Sequence, residues 1–378
     1  MVHQSTYFRR IGLESPCSAT PEILYIDITN ANCLCWGFDF VCGELSVKTR
    51  LTESLGIETP IICGGMMRVG TADLAAAVSN AGALGVMTAL SQPTLEGLEA
   101  EIARCASLTD RPFAVNLTVG VVSTDINYDD ILDVIISSGV KILETAGRSP
   151  EPFMDRLQAA GIKVIHKCVT VRHALSAERI GVDIVSIDGF ECAGHPGEQD
   201  VSGLVLFPAT TQALKIPVVA SGGIADGRGL VAALALGCDG INMGSRFLVT
   251  QEAPVHHAIK QRFVEMDENQ TQLIFRSYRN TARVYRNAIA EQVVDIEARG
   301  GGFAEVHPLV SGSNQDKAWT TGDIDSGMVT VGMCGGLIKD IPTCQELVRT
   351  IVNDAEQIIT NRLASTLADS EIGQTTAA

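Results

Sequence analysis

The sequence predicts a (β/α)8 barrel, a TIM barrel, followed by a C-terminal helical cap domain. Three observations support this fold class: eight short runs rich in Val and Ile between residues 61 and 243, a helix-length segment after each run, and mostly helical patterning after Pro254. Such runs are typical of parallel strands, which are buried on both faces. Strands that alternate with helices form a parallel sheet, and eight repeats favour its closure into a barrel.

Most of the predicted strands are bounded by Gly, Pro or Asp, which interrupt extended structure. In chain order they are Ile61–Cys63, Ala83–Met87, Phe113–Asn116, Val140–Leu143, Lys163–His166, Asp183–Ile187, Ile216–Ala220 and Gly240–Met243. Helix patterns lie between them, as in Ala72–Ala81 and Gly227–Leu236, and Gly237 is a suitable C-cap for the second helix.

This order of elements predicts four segments. They are an N-terminal extension of unknown role (1–46), the barrel (47–253), a mostly helical cap or substrate domain (254–365) and a disordered tail (366–378). Within the cap, the stretch Leu309–Thr321 is predicted to be a loop and a candidate lid. A set of arginines spaced by three or four residues predicts one helix face, either solvated or in contact with an anionic ligand. They are Arg276, Arg279, Arg283 and Arg286.

The composition excludes several classes of protein. The chain has 378 residues, 28 basic and 44 acidic, a formal charge of −16 and no Lys/Arg-rich run, which argues against nucleic-acid binding. It lacks an apolar stretch of about 20 residues, so we expect no membrane span. The 11 cysteines are scattered without paired Cys-x-x-Cys units, which predicts buried cytosolic thiols and no zinc site. We expect a cytoplasmic protein, with organelle targeting left open by residues 1–46.

Polar and glycine residues follow several predicted strands at the end where barrel active sites form. Gly222-Gly223 and Gly244-Ser245 follow strands seven and eight, and each leads into a helix. In barrels this pair of loops frequently binds phosphate through free backbone N–H groups. The alternative is a pair of ordinary tight turns. A cofactor with one phosphate fits better than a dinucleotide, because no Gly-x-Gly-x-x-Gly follows the first strand.

Two side chains are candidates for chemistry. Lys167 ends an apolar strand, where a buried ammonium needs an anionic partner: the electron-rich edge of a ligand or a structural carboxylate. His195 lies in a loop of small residues that can present its imidazole to a substrate, and histidine suits proton transfer near neutrality. A surface histidine without a role is the alternative. His166 is predicted to be a satisfied core histidine.

Together these motifs resemble the nitronate monooxygenase (2-nitropropane dioxygenase) family. The matching stretches are Gly64–Met66, Asn116–Thr118, Ile165–Cys168, Ser186–Glu198, Ala220–Gly229 and Gly244–Phe247. The resemblance runs from about Val47 to about Leu363, and its most specific part is the Glu-Cys-Ala-Gly-His-Pro-Gly run at 191–197. It is closest to the FMN-dependent NADH:quinone reductase branch. It implies a TIM barrel, capped by a helical domain, that binds FMN noncovalently.

The resemblance also implies roles for individual residues. The implied cofactor-binding residues are Gly65, Met66, Met67, Thr118, Lys167, Gly194, Gly222, Gly223, Gly244 and Ser245. Thr118 and Lys167 would contact the polar edge of the isoalloxazine ring, and the glycine-containing loops after strands seven and eight would hold the phosphate. His195 matches the histidine that acts as base on a nitroalkane, or that lies over the flavin in the reductase branch.

Two reactions follow from the resemblance. One is oxidation of alkyl nitronates or nitroalkanes with O2 through a flavin semiquinone; the other is NAD(P)H:quinone reduction by hydride transfer to FMN N5. A flavin-dependent enoyl reductase and a flavin-binding module without turnover are lesser alternatives. The expected partners are a small-molecule substrate with O2, or a quinone with NADH or NADPH, and a homodimer is left open.

This chain departs from the reductase branch at two places. Met67-Arg68 stands where the branch has Gln-Trp, so one flavin contact does not transfer. The stretch Val119–Thr124 replaces a proline-containing, glutamine-bearing loop that is associated with NADH selectivity. The choice of nicotinamide therefore does not follow from the resemblance.

Overall fold

The computed structural model describes residues 47–120 and 127–367. The predicted N-terminal extension and most of the predicted tail lie outside these ranges. Eight parallel strands pair in chain order, and the eighth pairs with the first, which confirms the predicted closed barrel. The strands are β1 (Ile61–Cys63), β2 (Leu84–Thr88), β3 (Phe113–Val119), β4 (Ile142–Gly147), β5 (Lys163–Cys168), β6 (Ile184–Asp188), β7 (Val218–Ser221) and β8 (Gly240–Met243).

Helices precede the barrel, connect its strands and follow it. Those up to β8 are α1 (Arg50–Leu55), α2 (Ala72–Asn80), α3 (Leu95–Leu108), α4 (Tyr128–Ser137), α5 (Met154–Ala159), α6 (Val171–Arg179), α7 (Gly203–Ala213) and α8 (Gly227–Ala235). After β8 come α9 (Ser245–Leu248), α10 (His257–Glu265), the strands β9 (Thr271–Ile274) and β10 (Ala282–Tyr285), α11 (Ala288–Ala298), α12 (Phe303–Val306), α13 (Gly312–Thr321), α14 (Cys344–Gln357) and a π-helix (Ile358–Leu363).

The barrel interior is apolar at one end and polar at the other. Side chains alternate between the faces of a strand, so every second residue points inward. The apolar end forms a cluster of buried Ile, Leu, Val and Ala residues that includes Leu51 and Leu55 of α1. Thr49, the N-cap of α1, donates its hydroxyl to the Asp239 carbonyl at 2.6 Å, and Arg50 binds the Asp239 carboxylate at 2.7 and 2.8 Å. Helix α1 thereby closes this end.

The last helix belongs to the wall of the barrel. Helix α14 packs against α2 and α8, and the close approach to α8 depends on a residue without a side chain. A Cβ atom at Gly227 would lie 2.6 Å from the Cβ of Asp354 and 2.7 Å from the Ile351 carbonyl oxygen. Part of the predicted cap segment therefore lies against the barrel helices, while the rest covers the mouth.

Two local predictions in this segment are wrong. The four arginines do not share a helix face: β9 and β10 form an antiparallel hairpin, with Arg283 on β10 and Arg276 and Arg279 in the turn. Phe275 and Arg279 have positive φ values of 65° and 55°, which end regular structure. The predicted loop 309–321 is largely helix α13, which ends at Gly322 in the left-handed conformation.

Three further features concern the chain as a whole. No helix in the described ranges is long and apolar enough to cross a membrane. All seven cysteines within those ranges are unbonded and buried: Cys63, Cys105, Cys168, Cys192, Cys238, Cys334 and Cys344. The described residues also contain no cluster of His, Cys, Asp and Glu side chains able to hold a metal ion.

Candidate active site

A cavity of about 1230 Å³ opens at the carboxyl ends of the barrel strands. The loops after β1 and β3 to β8 line it, and the β9–β10 hairpin, α13 and the segment 328–334 supply further walls. All eleven residues that the sequence singled out line this one cavity: His195 and the ten predicted cofactor-binding residues. The fold thus brings together residues from the ends of six strands and the loops that follow them: β1, β3, β5, β6, β7 and β8.

The floor of the cavity is a buried polar network around Glu144. One carboxylate oxygen accepts hydrogen bonds from the Gly65 backbone N–H at 2.9 Å and from the Asn116 amide at 2.7 Å. The other accepts from the Asn242 amide at 3.2 Å, and the same amide nitrogen lies 3.1 Å from the Ser186 hydroxyl. Glu144 is completely buried. This network fixes the backbone of the first glycine loop from below.

Lys167 stands beside this network at the end of β5. Its Nζ lies 3.3 Å from Oδ1 of Asp188, and the lysine side chain remains 23% exposed toward the cavity. Burial alone would lower the pKa of the ammonium, but the carboxylates of Asp188 and Glu144 outweigh burial and raise that pKa. Asp188 Oδ1 has no aligned hydrogen-bond donor among the described residues. The lysine is therefore a permanent cation that has a carboxylate partner and still faces the cavity.

The loops after β7 and β8 leave backbone groups open toward the cavity. Gly222 and Gly223 have φ values of 93° and 78°, which residues with a side chain rarely adopt. A Cβ at Gly222 would also lie 2.9 Å from the Cβ of Cys192. The N–H groups of these two glycines, Gly244 and Ser245 find no acceptor in the described part of the chain. Free N–H groups in glycine loops are suited to binding an anion.

The loop that carries His195 is held by the β9–β10 hairpin. Gly194 and Arg283 exchange two backbone hydrogen bonds, of 3.1 and 2.6 Å, as an isolated antiparallel bridge. The carboxylate of Glu198 accepts from the N–H and the hydroxyl of Thr281 at 2.8 and 2.6 Å. The loop is thus fixed on both sides of the histidine.

The His195 ring reaches solvent within the cavity, and it makes no side-chain hydrogen bond to any described residue. Desolvation by the surrounding walls lowers the pKa of the imidazole, and the Glu198 carboxylate opposes this in part. The lowered pKa favours the uncharged ring, which is the form that can accept a proton.

Arg283 supports this loop from below. It is buried, its guanidinium lies 4.6 Å above the centre of the Phe190 ring, and Nη2 donates to the Phe190 carbonyl at 3.0 Å. Nη1 donates to the Thr271 hydroxyl at 2.9 Å. The arginine therefore joins the hairpin to the loop after β6.

The loop after β1 also reaches helix α13. Arg68 has a φ of 66°, its N–H donates to the Ser91 hydroxyl at 2.7 Å, and its guanidinium pairs with Asp316 of α13. Met67 contacts the same serine through its sulfur. Arg68 thus connects the glycine loop to α13.

Sequence reasoning placed His166 correctly and missed Glu144 and Arg283. His166 is buried, and its Nδ1 lies 2.8 Å from the Thr145 hydroxyl, as expected for a core histidine. Glu144 interrupts an apolar strand just as Lys167 does, so the same signal could have identified it. Arg283 could not have been found in this way, because it was assigned to a helix.

Comparison with known proteins identifies the family. The family model for nitronate monooxygenase matches residues 48–354. The chain belongs to the nitronate monooxygenase family. It is therefore a flavin-dependent oxidoreductase, with the barrel that the sequence predicted.

Individual relatives of this family member differ in their described activities. A "(3aS,4S,5R,7aS)-5-hydroxy-7a-methyl-1-oxo-octahydro-1H-indene-4-carboxyl-CoA dehydrogenase" of Mycobacterium tuberculosis is 30% identical over 82% of this chain and 97% of that protein. A probable nitronate monooxygenase of Staphylococcus saprophyticus is 32% identical over 60% of this chain and 75% of that protein. Among solved structures, FabK of Thermotoga maritima has a TM-score of 0.80 and 33% identity, covering 85% of this chain and all of that one.

The cavity fits a flavin mononucleotide. The loops after β7 and β8 offer unpaired N–H groups of three glycines and Ser245 where a phosphate would lie. Lys167 offers a cation to the electron-rich edge of a flavin, on the side of the barrel away from those loops. Donors at one end and a cation at the other match a ligand with a phosphate at one end and a polar ring at the other.

Proposed function

We propose that this enzyme uses FMN to oxidise alkyl nitronates and nitroalkanes with O2. The observation that carries the proposal is the position of His195, which lines the cavity on a loop fixed by the β9–β10 hairpin. A neutral imidazole can remove the weakly acidic proton next to a nitro group, and it can donate a hydrogen bond to a nitronate oxygen. Bound FMN supplies the electron acceptor.

The residues around His195 have distinct tasks in this proposal. Lys167 stabilises negative charge at the polar edge of the ring, because Asp188 and Glu144 keep it protonated. Glu144 holds the Gly65 backbone against the cavity floor, and Gly222, Gly223, Gly244 and Ser245 bind the phosphate. The β9–β10 hairpin holds the loop that carries the base.

A second candidate is oxidation or reduction of a coenzyme A thioester. It is supported by the 30% identity to the carboxyl-CoA dehydrogenase across 97% of that protein. The proton next to a thioester carbonyl is also weakly acidic, so the same base serves either substrate. The reductase reactions that use NADH or NADPH remain alternatives.

An anaerobic mixing experiment distinguishes these reactions. Purified flavin-loaded protein is mixed separately with ethyl nitronate, NADH, NADPH and a short acyl-CoA, and the absorbance band of oxidised flavin is followed. Rapid loss of the band with ethyl nitronate alone is the expected result. Rapid loss with a nicotinamide alone favours the reductase, and loss with the acyl-CoA alone favours the second candidate. Protein that binds no FMN contradicts all of these proposals.

A further inference from the structure

Helix α13 forms part of the cavity wall, yet little of it is buried. Of its ten residues, only Ala318 and Trp319 are buried, and both belong to its C-terminal half. Gln315 and Trp319 line the cavity, and because they are four residues apart they lie on one face of the helix. Elements with few buried apolar contacts open more easily than the core of a protein.

The two halves of α13 are held differently. The Trp319 carbonyl in the C-terminal half accepts a hydrogen bond of 2.8 Å from the His256 N–H, which anchors that end of the helix. Residues 312–317 make two polar contacts to described residues outside the helix and the turn before it. One is a hydrogen bond of 3.3 Å from the Gln315 amide to a threonine hydroxyl, and the other is the ion pair of Asp316 with the loop after β1. The N-terminal half is therefore the more weakly attached end.

The ion pair between Arg68 and Asp316 has the properties of a reversible contact. Both side chains are partly exposed, 41% for the arginine and 38% for the aspartate. Ion pairs in contact with water are weak, so they break and re-form readily. The backbone of Arg68 is fixed, because its N–H is bound to the Ser91 hydroxyl. The partner on the barrel is thus held in place, while the partner on α13 is free to leave it.

The observed position of α13 leaves one polar group unsatisfied. Trp319 Nε1 is buried and has no hydrogen-bond partner among the described residues. A buried N–H without an acceptor is costly, and water would satisfy it if the helix moved outward. Glycine occupies both ends of the helix, as its first residue Gly312 and as Gly322 directly after it, where φ is 82°. Because glycine adopts many backbone conformations, the chain can turn at both points.

We propose that α13 is a gate of the cavity and that the ion pair between Arg68 and Asp316 is the latch that holds it closed. When the pair breaks, the N-terminal half of the helix swings outward about the end anchored by His256. The Gln315 and Trp319 side chains then leave the cavity wall, and a ligand enters or departs through the gap. The gate acts on ligand access, so it goes beyond the proposed function and holds for any reaction that the cavity supports.

Collisional quenching of tryptophan fluorescence tests the gate without turnover. The chain has two tryptophans, so the Trp36→Phe variant leaves Trp319 as the single reporter on the cavity wall. Acrylamide is added to the flavin-loaded protein, and the fluorescence lifetime of Trp319 is followed. We expect Asp316→Asn in this background to raise the quenching constant by about two- to fivefold, the equilibrium effect of one exposed ion pair. Salt at about 1 M should raise it in the protein that keeps the pair.

Two further variants separate the latch from a general effect of charge. The charge-swapped variant Arg68→Asp/Asp316→Arg re-forms the pair and should restore the low quenching constant. Asp133→Asn is the matched control, because it removes an exposed pair with Arg156 outside the cavity and should change nothing.

Three outcomes would overturn the proposal: quenching that Asp316→Asn leaves unchanged, quenching that the charge swap does not restore, and an equal increase in Asp133→Asn. A protein that fails to react with nitronates leaves the result intact, since the measurement reads the position of α13 alone.

Discussion

Lys167 is the residue on which the electrostatics of the cavity depend, because two buried carboxylates hold it protonated. We expect Lys167→Met to weaken FMN binding by about tenfold, the loss of one charged hydrogen bond. The single variant also leaves Asp188 without its cation. The double variant Lys167→Met/Asp188→Asn removes that complication.

Flavin fluorescence titration measures the affinity of both variants. Lys163→Met on the same strand is the control, since its exposed side chain pairs with Asp183 outside the cavity. If the double variant regains wild-type affinity, the lysine acts only as a partner for the carboxylate.

His195 is predicted to move the proton in the proposed reaction. His195→Asn should lower kcat for a neutral nitroalkane by about 100-fold and leave FMN binding unchanged. His307→Asn is the matched control, because that histidine is exposed and lies outside the cavity. Steady-state kinetics with the nitroalkane and with its preformed nitronate separate proton removal from later steps. An equal effect on both substrates would argue against a role as base.

His166 is predicted to make the free energy of unfolding depend on pH. Burial is the main reason that the pKa of its imidazole falls from 6.5 to about 4. Between these values the unfolded chain binds the proton more readily, so stability is lost as the pH falls from 6.5 toward 4. The loss is about 3 kcal/mol at pH 4. In urea unfolding, His166→Gln should lack this component; parallel pH curves for the two proteins would contradict the assignment.

At the scale of elements, the β9–β10 hairpin decides where His195 lies. We expect Arg283→Met to destabilise the protein by about 2–4 kcal/mol, because it removes a desolvated cation–π contact and two hydrogen bonds to buried partners. Arg276→Met removes only an exposed pair with Asp200 and should cost less than about 1 kcal/mol. Denaturant unfolding measures both. A similar cost for the two variants would mean that the hairpin is not anchored through Arg283.

Sequence patterns predicted the barrel strands but not the β9–β10 hairpin. All eight strands were recognised from their apolar runs, because a buried parallel strand carries that signal in its own residues. The hairpin was not recognised, since the spacing of its four arginines matches a helical period. Its actual determinants are the positive φ values at Phe275 and Arg279 and the pairing of Gly194 with Arg283, a contact between residues 89 apart. Such long-range contacts leave no local periodicity.

In the candidate site, too, the residues with a local sequence signal were predicted and those defined by long-range contacts were not. The glycine loops, Lys167 and His195 were identified because each follows a recognisable strand. The partners of these residues were not identified, because Glu144, Thr281 and Arg283 act through contacts that only the closed barrel creates. The sequence thus predicts which residues line the cavity more readily than which residues hold them in place.

At the scale of the whole molecule, α14 ties the end of the described chain to the barrel wall. Gly227→Ala should cost about 1–3 kcal/mol, because the added methyl group would overlap the α14 backbone. Gly302→Ala is the control, since its Cβ would have no atom within 4 Å. Thermal unfolding of the FMN-loaded proteins measures the difference. An unchanged Gly227→Ala variant would mean that α14 can shift without loss.

The seven buried cysteines can serve as probes of local unfolding. Burial raises the pKa of each of these thiols, which keeps them in the unreactive protonated form. They are distributed over the strands, helices and loops of both the barrel and its covering segments. Cys168, Cys192 and Cys334 line the cavity, whereas Cys63, Cys105, Cys238 and Cys344 lie outside it. A thiol-labelling reagent can therefore reach these last four only when the structure opens, so the order in which they become labelled maps which parts of the molecule come apart first.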